Sequence, residues 1–174
     1  MIVRPDYTVI RLSDQDSDRL QALFERCTDF FELTAGQPPE PTAARSEFTD
    51  VPVGKTPEDL HFFGLCDSQN CLVGTIIAVQ QYPDNQTWWI GMMLLAPSHR
   101  GQGIGKAFYQ GFEGWLGQQG IQAVELLAIA ANAQGRAFWQ SLGFVEIRQT
   151  PPRLFGQKTH TVHVYRRRIP GSSP

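Results

Sequence analysis

Arg100-Gly101-Gln102-Gly103-Ile104-Gly105-Lys106 sets three glycines at alternate positions between an apolar, strand-like run and an amphipathic helix. Glycines here leave the first turn of the helix with bare main-chain N–H groups and no side chains in the way. Unpaired amides and the helix dipole together favour an anion at such a start. Arg100 and Lys106 add positive charge at either end. The stretch therefore points to a phosphate-bearing ligand.

The spacing excludes two better-known glycine loops. A dinucleotide fingerprint needs G-x-G-x-x-G. Its last position falls on Lys106 when counted from Gly101 and on Phe108 when counted from Gly103. A P-loop needs Gly-Lys-Ser/Thr, but Gly105-Lys106 is followed by Ala107, which has no hydroxyl for magnesium. The pattern that fits is Arg-x-x-Gly-x-Gly, from Arg100 to Gly105.

The flanks give the loop its setting. Trp88 to Ala96 is apolar and is stopped by Pro97, as in a buried strand. Behind the loop, Ile104, Ala107, Phe108, Phe112, Trp115 and Leu116 form a helical stripe. Val124 to Ile129 reads as another strand. Asn132 stands as a cap before a helix over about Gln134 to Leu142, and Gly143 supplies a left-handed stop. A further strand begins at Phe144.

The order strand, glycine loop, helix, strand, Asn, helix, Leu-Gly-Phe, over roughly Thr87 to Arg148, resembles the core of the GCN5-related N-acetyltransferase (GNAT) superfamily. The loop and Phe138-Trp139-Gln140-Ser141-Leu142-Gly143-Phe144 carry the resemblance jointly. It implies one α/β (α+β) domain over 1–174, with a mixed, mostly antiparallel sheet of about six or seven strands and helices on both faces. It implies acetyl-CoA as acetyl donor, a primary amine of a small molecule as acceptor, and no metal. By the same resemblance, the backbone of Leu95 pairs with pantetheine. The amides of Gly101, Gln102, Gly103, Ile104, Gly105 and Lys106 hold the pyrophosphate, and Arg100 contacts a phosphate or braces the loop. Asn132 bonds the pantetheine arm or only caps its helix. Trp139 stands where many members carry a tyrosine that protonates the leaving thiolate.

That tryptophan is a departure from the family, because an indole N–H only donates and is not an ordinary general acid. Many members also carry a glutamate on the strand before the loop. Counted by simple alternation, Leu95 shares its face with Met93, Gly91 and Trp89, none of them acidic. The catalytic acid and base are thus unassigned by the motif. This leaves a CoA-binding regulatory module without turnover as an alternative, and acetylation of a protein N-terminus or lysine as another.

Composition agrees with one soluble, cytoplasmic domain. The chain has 174 residues, 41% of them hydrophobic and 18% charged, with a net charge of −2. Nothing in that balance invokes nucleic acid. No apolar stretch is long enough for a membrane span, and no signal peptide opens the chain. Cys27, Cys66 and Cys71 form an odd set without metal-site spacing. The run Arg166-Arg167-Arg168 reads as a solvated strand end. Residues 170–174 are expected to fray. Family members often dimerise, so a homodimer stays open.

The front half is where the family varies and sets its acceptor. Tyr7 to Leu12 alternates as an edge strand, and Ser13 with Asp16 resembles a capping box. Leu20, Leu23, Phe24, Cys27 and Phe31 mark one helix, broken by Gln37-Pro38-Pro39-Glu40-Pro41. A short helix is predicted over about Thr42 to Phe48, then a hairpin turning at Asp67-Ser68-Gln69-Asn70. Asp29 and Glu32, near the end of the first helix, are candidates to meet a cationic amine. Of the adjacent Trp88 and Trp89, one is expected in the core and Trp89 to wall the acceptor pocket. With Phe30 and Phe31 it suggests a closed, apolar pocket.

Overall fold

The computed structural model describes residues 3–170. Of the predicted frayed tail, 171–174 lie outside the described residues. Among the described residues, seven strands form one sheet in the order β1-β2-β3-β4-β5-β7-β6. They are β1 (Thr8–Leu12), β2 (Leu60–Cys66), β3 (Leu72–Val79), β4 (Thr87–Leu95), β5 (Ala123–Ile129), β6 (Val145–Phe155) and β7 (Lys158–Arg168). Every pairing is antiparallel except β4 with β5. That parallel step requires a crossover, supplied by helix α4 (Ile104–Gln118).

Helices cover both faces. The α4 stripe predicted from the sequence packs on one: Phe63 meets Phe112 and Trp115 edge-on at 5.2 and 5.3 Å. Helix α5 (Ala133–Ser141) lies beside α4, with Trp139 against Tyr109. On the other face lie α1 (Ser17–Arg26), α2 (Thr28–Ala35) and α3 (Ala43–Glu47). Phe48, just past α3, stacks on Phe62 at 4.1 Å. Leu20, Leu23, Phe24, Phe108, Phe112 and Leu116 are all fully buried. Each such burial contributes roughly 1.5–3 kcal/mol before entropy is counted.

The predicted single first helix is two. Cys27 (φ −101°, ψ 29°) breaks it, and the Thr28 hydroxyl donates to Glu25 O at 2.7 Å to start α2 in a new direction. Asp29 consequently sits in the first turn of α2, where a carboxylate suits the dipole, rather than near a helix end. α2 ends at Gly36 with φ +81°, the left-handed stop that glycine tolerates.

The arginine run is not a solvated strand end. Arg166 donates to buried Glu125 at 2.8 Å, and Arg167 pairs with Glu113 of α4, whose carboxylate also accepts from Tyr109 Oη at 3.0 Å. Arg168 alone is exposed. Sequence spacing missed these pairs because their partners lie 41 and 54 positions away.

Candidate active site

β4 and β5 pair only from Thr87↔Ala123 to Ile90↔Leu126. Beyond that point β4 stays with β3 and β5 with β7, so the sheet opens a gap between Leu95 and Ile129. A bulge at the same level, where Ile77↔Met92 is followed by Ala78↔Ile90, leaves Gly91 unpaired. An extra residue reverses the alternation beyond it. Trp88 packs on Phe112 and Trp115 of α4, and Leu95 lies toward Gly105 of the same helix although Trp88 and Leu95 are an odd seven positions apart. Trp89 therefore does not share the face of Leu95, as simple alternation implied. It joins Met92 and Leu94 on the side of α1–α3. None of those three is acidic.

The glycine loop closes the end of this gap. A 3-10 turn, Pro97–His99, follows β4 and delivers the chain to Gly101 (φ +73°) and Gly103 (φ +75°). Both are in the left-handed region, where a Cβ is strained. Gln102 steadies the turn by donating from Nε2 to Ser98 O at 2.8 Å. Among the described residues no acceptor takes the main-chain N–H of Gly101, Gln102, Gly103, Ile104, Gly105 or Lys106. Gly101, Gln102, Gly103 and the Lys106 side chain are exposed.

Arg4 is a cation the sequence reading passed over. A Cβ at Gly103 would lie 3.2 Å from Arg4 Nη2, so this guanidinium hangs over the loop. The first turn of the chain is held there by an Arg4–Tyr7 bridge and by Tyr7 set edge-on to His99 at 6.1 Å. No local pattern signals this, since it depends on where the start of the chain folds back.

Arg100 faces the other way. Its Nε donates to Leu95 O at 2.7 Å, and its two terminal nitrogens grip the Asp29 carboxylate, one of them at 3.1 Å. The pair holds Asp29 below the usual carboxylate range and raises Arg100. Cys27 Sγ also lies on Leu95 O, at 3.6 Å, its thiol pushed up by burial. Ala96 N–H bonds Val73 O across β3 at 2.8 Å. By strand alternation the Leu95 amide then points into the gap.

Asn132 caps α5, its Oδ1 accepting from Gly135 N–H at 2.8 Å. Trp139 is buried, wedged between Tyr109, Phe138 and Phe144 at 5.0–5.7 Å.

The opposite side of the gap is roofed by α2. Phe30 and Phe31 meet edge-on at 5.4 Å, and Trp89 is edge-on to Tyr82 at 5.9 Å. The β6–β7 hairpin clasps α2. Lys158 Nζ donates to Glu32 O at 2.7 Å, Gln157 N–H to Ala35 O at 2.8 Å, and His160 Nε2 bonds Thr34 O at 2.9 Å. The Glu32 side chain itself is exposed. Glu47, at the end of α3, is half-buried, and burial with the nearby Asp50 charge pushes its carboxyl up to about 7. Among the described residues no group of three His, Cys, Asp or Glu side chains is placed to hold a metal, and no helix is long and apolar enough to cross a membrane.

A splayed parallel pair closed by a bare-amide glycine turn is the architecture of an acyl-CoA-dependent transferase. The sequence profile of the acetyltransferase (GNAT) family matches residues 18–144, and the chain belongs to that family. Its members bind acetyl-CoA as donor and act on amine acceptors. An acetyltransferase from Thermus thermophilus superposes with a TM-score of 0.77 at 21% identity, over 97% of this chain and 100% of that one. An acetyl transferase from Salmonella typhimurium that modifies the N-terminal serine of ribosomal protein L7/L12 gives 0.77 at 17% identity, over 97% and 98%. The ribosomal-protein-S18-alanine N-acetyltransferase from Escherichia coli gives 0.70 at 17%, over 94% of each. No curated protein matches the chain.

Proposed function

We propose that the protein transfers the acetyl group of acetyl-CoA to the primary amine of a small molecule. The observation that carries this is the juxtaposition of six amides, Gly101 to Lys106, that find no acceptor among the described residues, with the open gap between β4 and β5. Those amides hold the pyrophosphate, with Arg4 and Lys106 as flanking cations. The inward-pointing Leu95 amide pairs with pantetheine, and Asn132 meets the same arm from the far side of the gap. Arg100 is a brace: it fixes the Leu95 carbonyl and anchors α2 through Asp29, which leaves neither free for a phosphate or an ammonium.

Acetyl transfer needs a neutral amine beside the thioester carbonyl and a proton for the departing sulfur. Trp139 does not supply that proton, since indole is only a weak donor and this one is packed away from solvent. Water carries it. The clasp of the β6–β7 hairpin on α2, with Phe30, Phe31 and Trp89 on the walls, supports a small acceptor over a protein chain. The test is thiol release from acetyl-CoA with a library of primary amines against N-terminal and lysine peptides. Release stimulated by small amines supports the reading. Release stimulated only by peptides favours a protein acceptor, and tight CoA binding with no release favours a regulatory module.

A further inference from the structure

We propose that a groove at the closed end of the sheet is a second ligand site, which takes a carboxylate carried on a small flat ring. The groove lies between the start of β4 and the end of α4 and holds about 390 Å³, a volume in the range of ligand sites. Trp88 on its wall belongs to the part of β4 that is still paired with β5, opposite Val124. The glycine loop is at the other end of α4: Ile104 and Trp115 are about 16 Å apart along the helix axis. The groove plays no part in the acetyl-transfer reading and does not depend on it.

Arg11 of β1 supplies the charge. Its Cζ lies 3.9 Å from the centre of the Phe63 ring and 5.0 Å from that of Trp115, so aromatic rings hold the guanidinium in place. Nη1 bonds His61 Nδ1 at 3.1 Å. A guanidinium only donates, so Nδ1 is the acceptor and the imidazole is neutral. Its hydrogen is on Nε2, which donates to Gln80 Oε1 at 2.9 Å, and Gln80 Nε2 donates to Asp59 Oδ1 at 2.9 Å. Asp59 is matched by Lys55 at 3.8 Å. Arg11 therefore meets a neutral ring and not a counter-ion. Among the described residues no carboxylate pairs with it, and no acceptor takes its Nε or Nη2. Arg11 is exposed, so those donors can be reached.

The lining selects the guest. The free edge of Arg11 offers two N–H groups and one positive charge, which match the two oxygens and single charge of a carboxylate. A phosphate ester carries closer to two negative charges, and Arg11 is the one charged group on the lining. The walls are rings: His61 stacks on Trp88 at 4.7 Å, and Trp88 meets Trp115 edge-on at 5.4 Å. A slot between fixed rings favours a flat body. Gln81 and Gln119 stand exposed at the rim, and their amides can donate to or accept from a polar atom on that body.

The test uses the full chain without acetyl-CoA, so its outcome is separate from that of the transfer reading. Indole-3-carboxylate, its uncharged carboxamide and inorganic phosphate are each titrated in. Of the four tryptophans, Trp88 and Trp115 border the groove, whereas Trp89 and Trp139 do not. Their indole N–H signals are followed in nitrogen-15 spectra, with calorimetry for affinity. Expected are saturable shifts of Trp88 and Trp115 alone with the carboxylate, at a Kd on the order of 1 mM or tighter. The carboxamide and phosphate should bind at least about tenfold more weakly. Arg11→Met keeps an apolar stem on the rings but loses the fork, and should weaken the carboxylate at least about tenfold. Unmoved Trp88 and Trp115 signals overturn the proposal, as do shifts of Trp89 or Trp139 in their place. So do equal affinity for carboxylate and carboxamide, equal affinity for phosphate, or undiminished binding by Arg11→Met. If that variant does not fold, the wild-type comparison of carboxylate with carboxamide decides.

Discussion

Asp29 and Arg100, 71 positions apart, form a two-pronged ion pair that ties the first turn of α2 to the end of β4. Arg100 opens the glycine motif, yet its charge is spent on holding the frame of the site. Asp29→Asn should therefore loosen α2 and the Leu95 carbonyl while leaving the loop amides in place. CoA affinity should fall by at most about fivefold, the upper end of what a partly exposed pair contributes. The Asp29 pKa is depressed by the pair, so the contact is intact above the usual carboxylate range and is lost as pH falls through the lowered value. Calorimetric affinity for CoA between neutral and mildly acidic pH checks both statements: wild type stays flat there and the variant is weaker throughout.

Glu113, Tyr109 and Arg167 form a buried polar knot between α4 and β7. Tyr109 is held protonated by burial and by the Glu113 charge. Replacing one charge of such a pair strands the other, at a cost of about 3–5 kcal/mol. Arg167→Met should destabilise by that amount in urea unfolding. The double variant Glu113→Leu/Arg167→Met should recover most of the loss, and a double-variant loss equal to the sum of the two single-variant losses would show that the knot is not coupled.

Glu47 carries a stability signature of its own. Its folded pKa is raised from 4.5 to about 7. Below 4.5 the carboxyl is protonated in both states and has no effect. As pH climbs toward 7 the unfolded group ionises first, and stability is lost until the folded group ionises too. Glu47→Gln should match wild type below about pH 4 and exceed it above neutral pH by about 3 kcal/mol. Urea midpoints at the two ends of that window measure it.

Gly114 lies in the interior of α4 with open space around the position a Cβ would take. Gly114→Ala should stabilise the protein by about 0.5–1 kcal/mol, read as a higher thermal midpoint.

The glycine loop, its strand and helix, and the Asn132 cap were legible because they are local. Each is written in consecutive residues whose chemistry dictates backbone shape. The β6–β7 hairpin was half legible: the strand begins where Leu-Gly-Phe ends, but Pro151 and Pro152 hide its continuation to Phe155. The break at Cys27 escaped because the apolar stripe of α1 runs on into α2. The face of Trp89 was misassigned because one bulge at Gly91 reverses alternation, and nothing in a run of apolar residues marks it. Arg4 and the partners of Arg166 and Arg167 were invisible for a different reason. Their roles depend on contacts between distant segments, which periodicity does not encode.

Gly103 offers the most direct measurement. Gly103→Val puts a branched side chain at φ +75°, among the loop amides and against Arg4, at an exposed position. Titrate CoA by calorimetry into wild type and into this variant, with circular dichroism to confirm that both are folded. The account predicts saturable binding to wild type and at least about a 100-fold loss in the variant, for blocking a charged main-chain site. A wild type that takes up no heat, or a folded variant that binds CoA as wild type does, would contradict it.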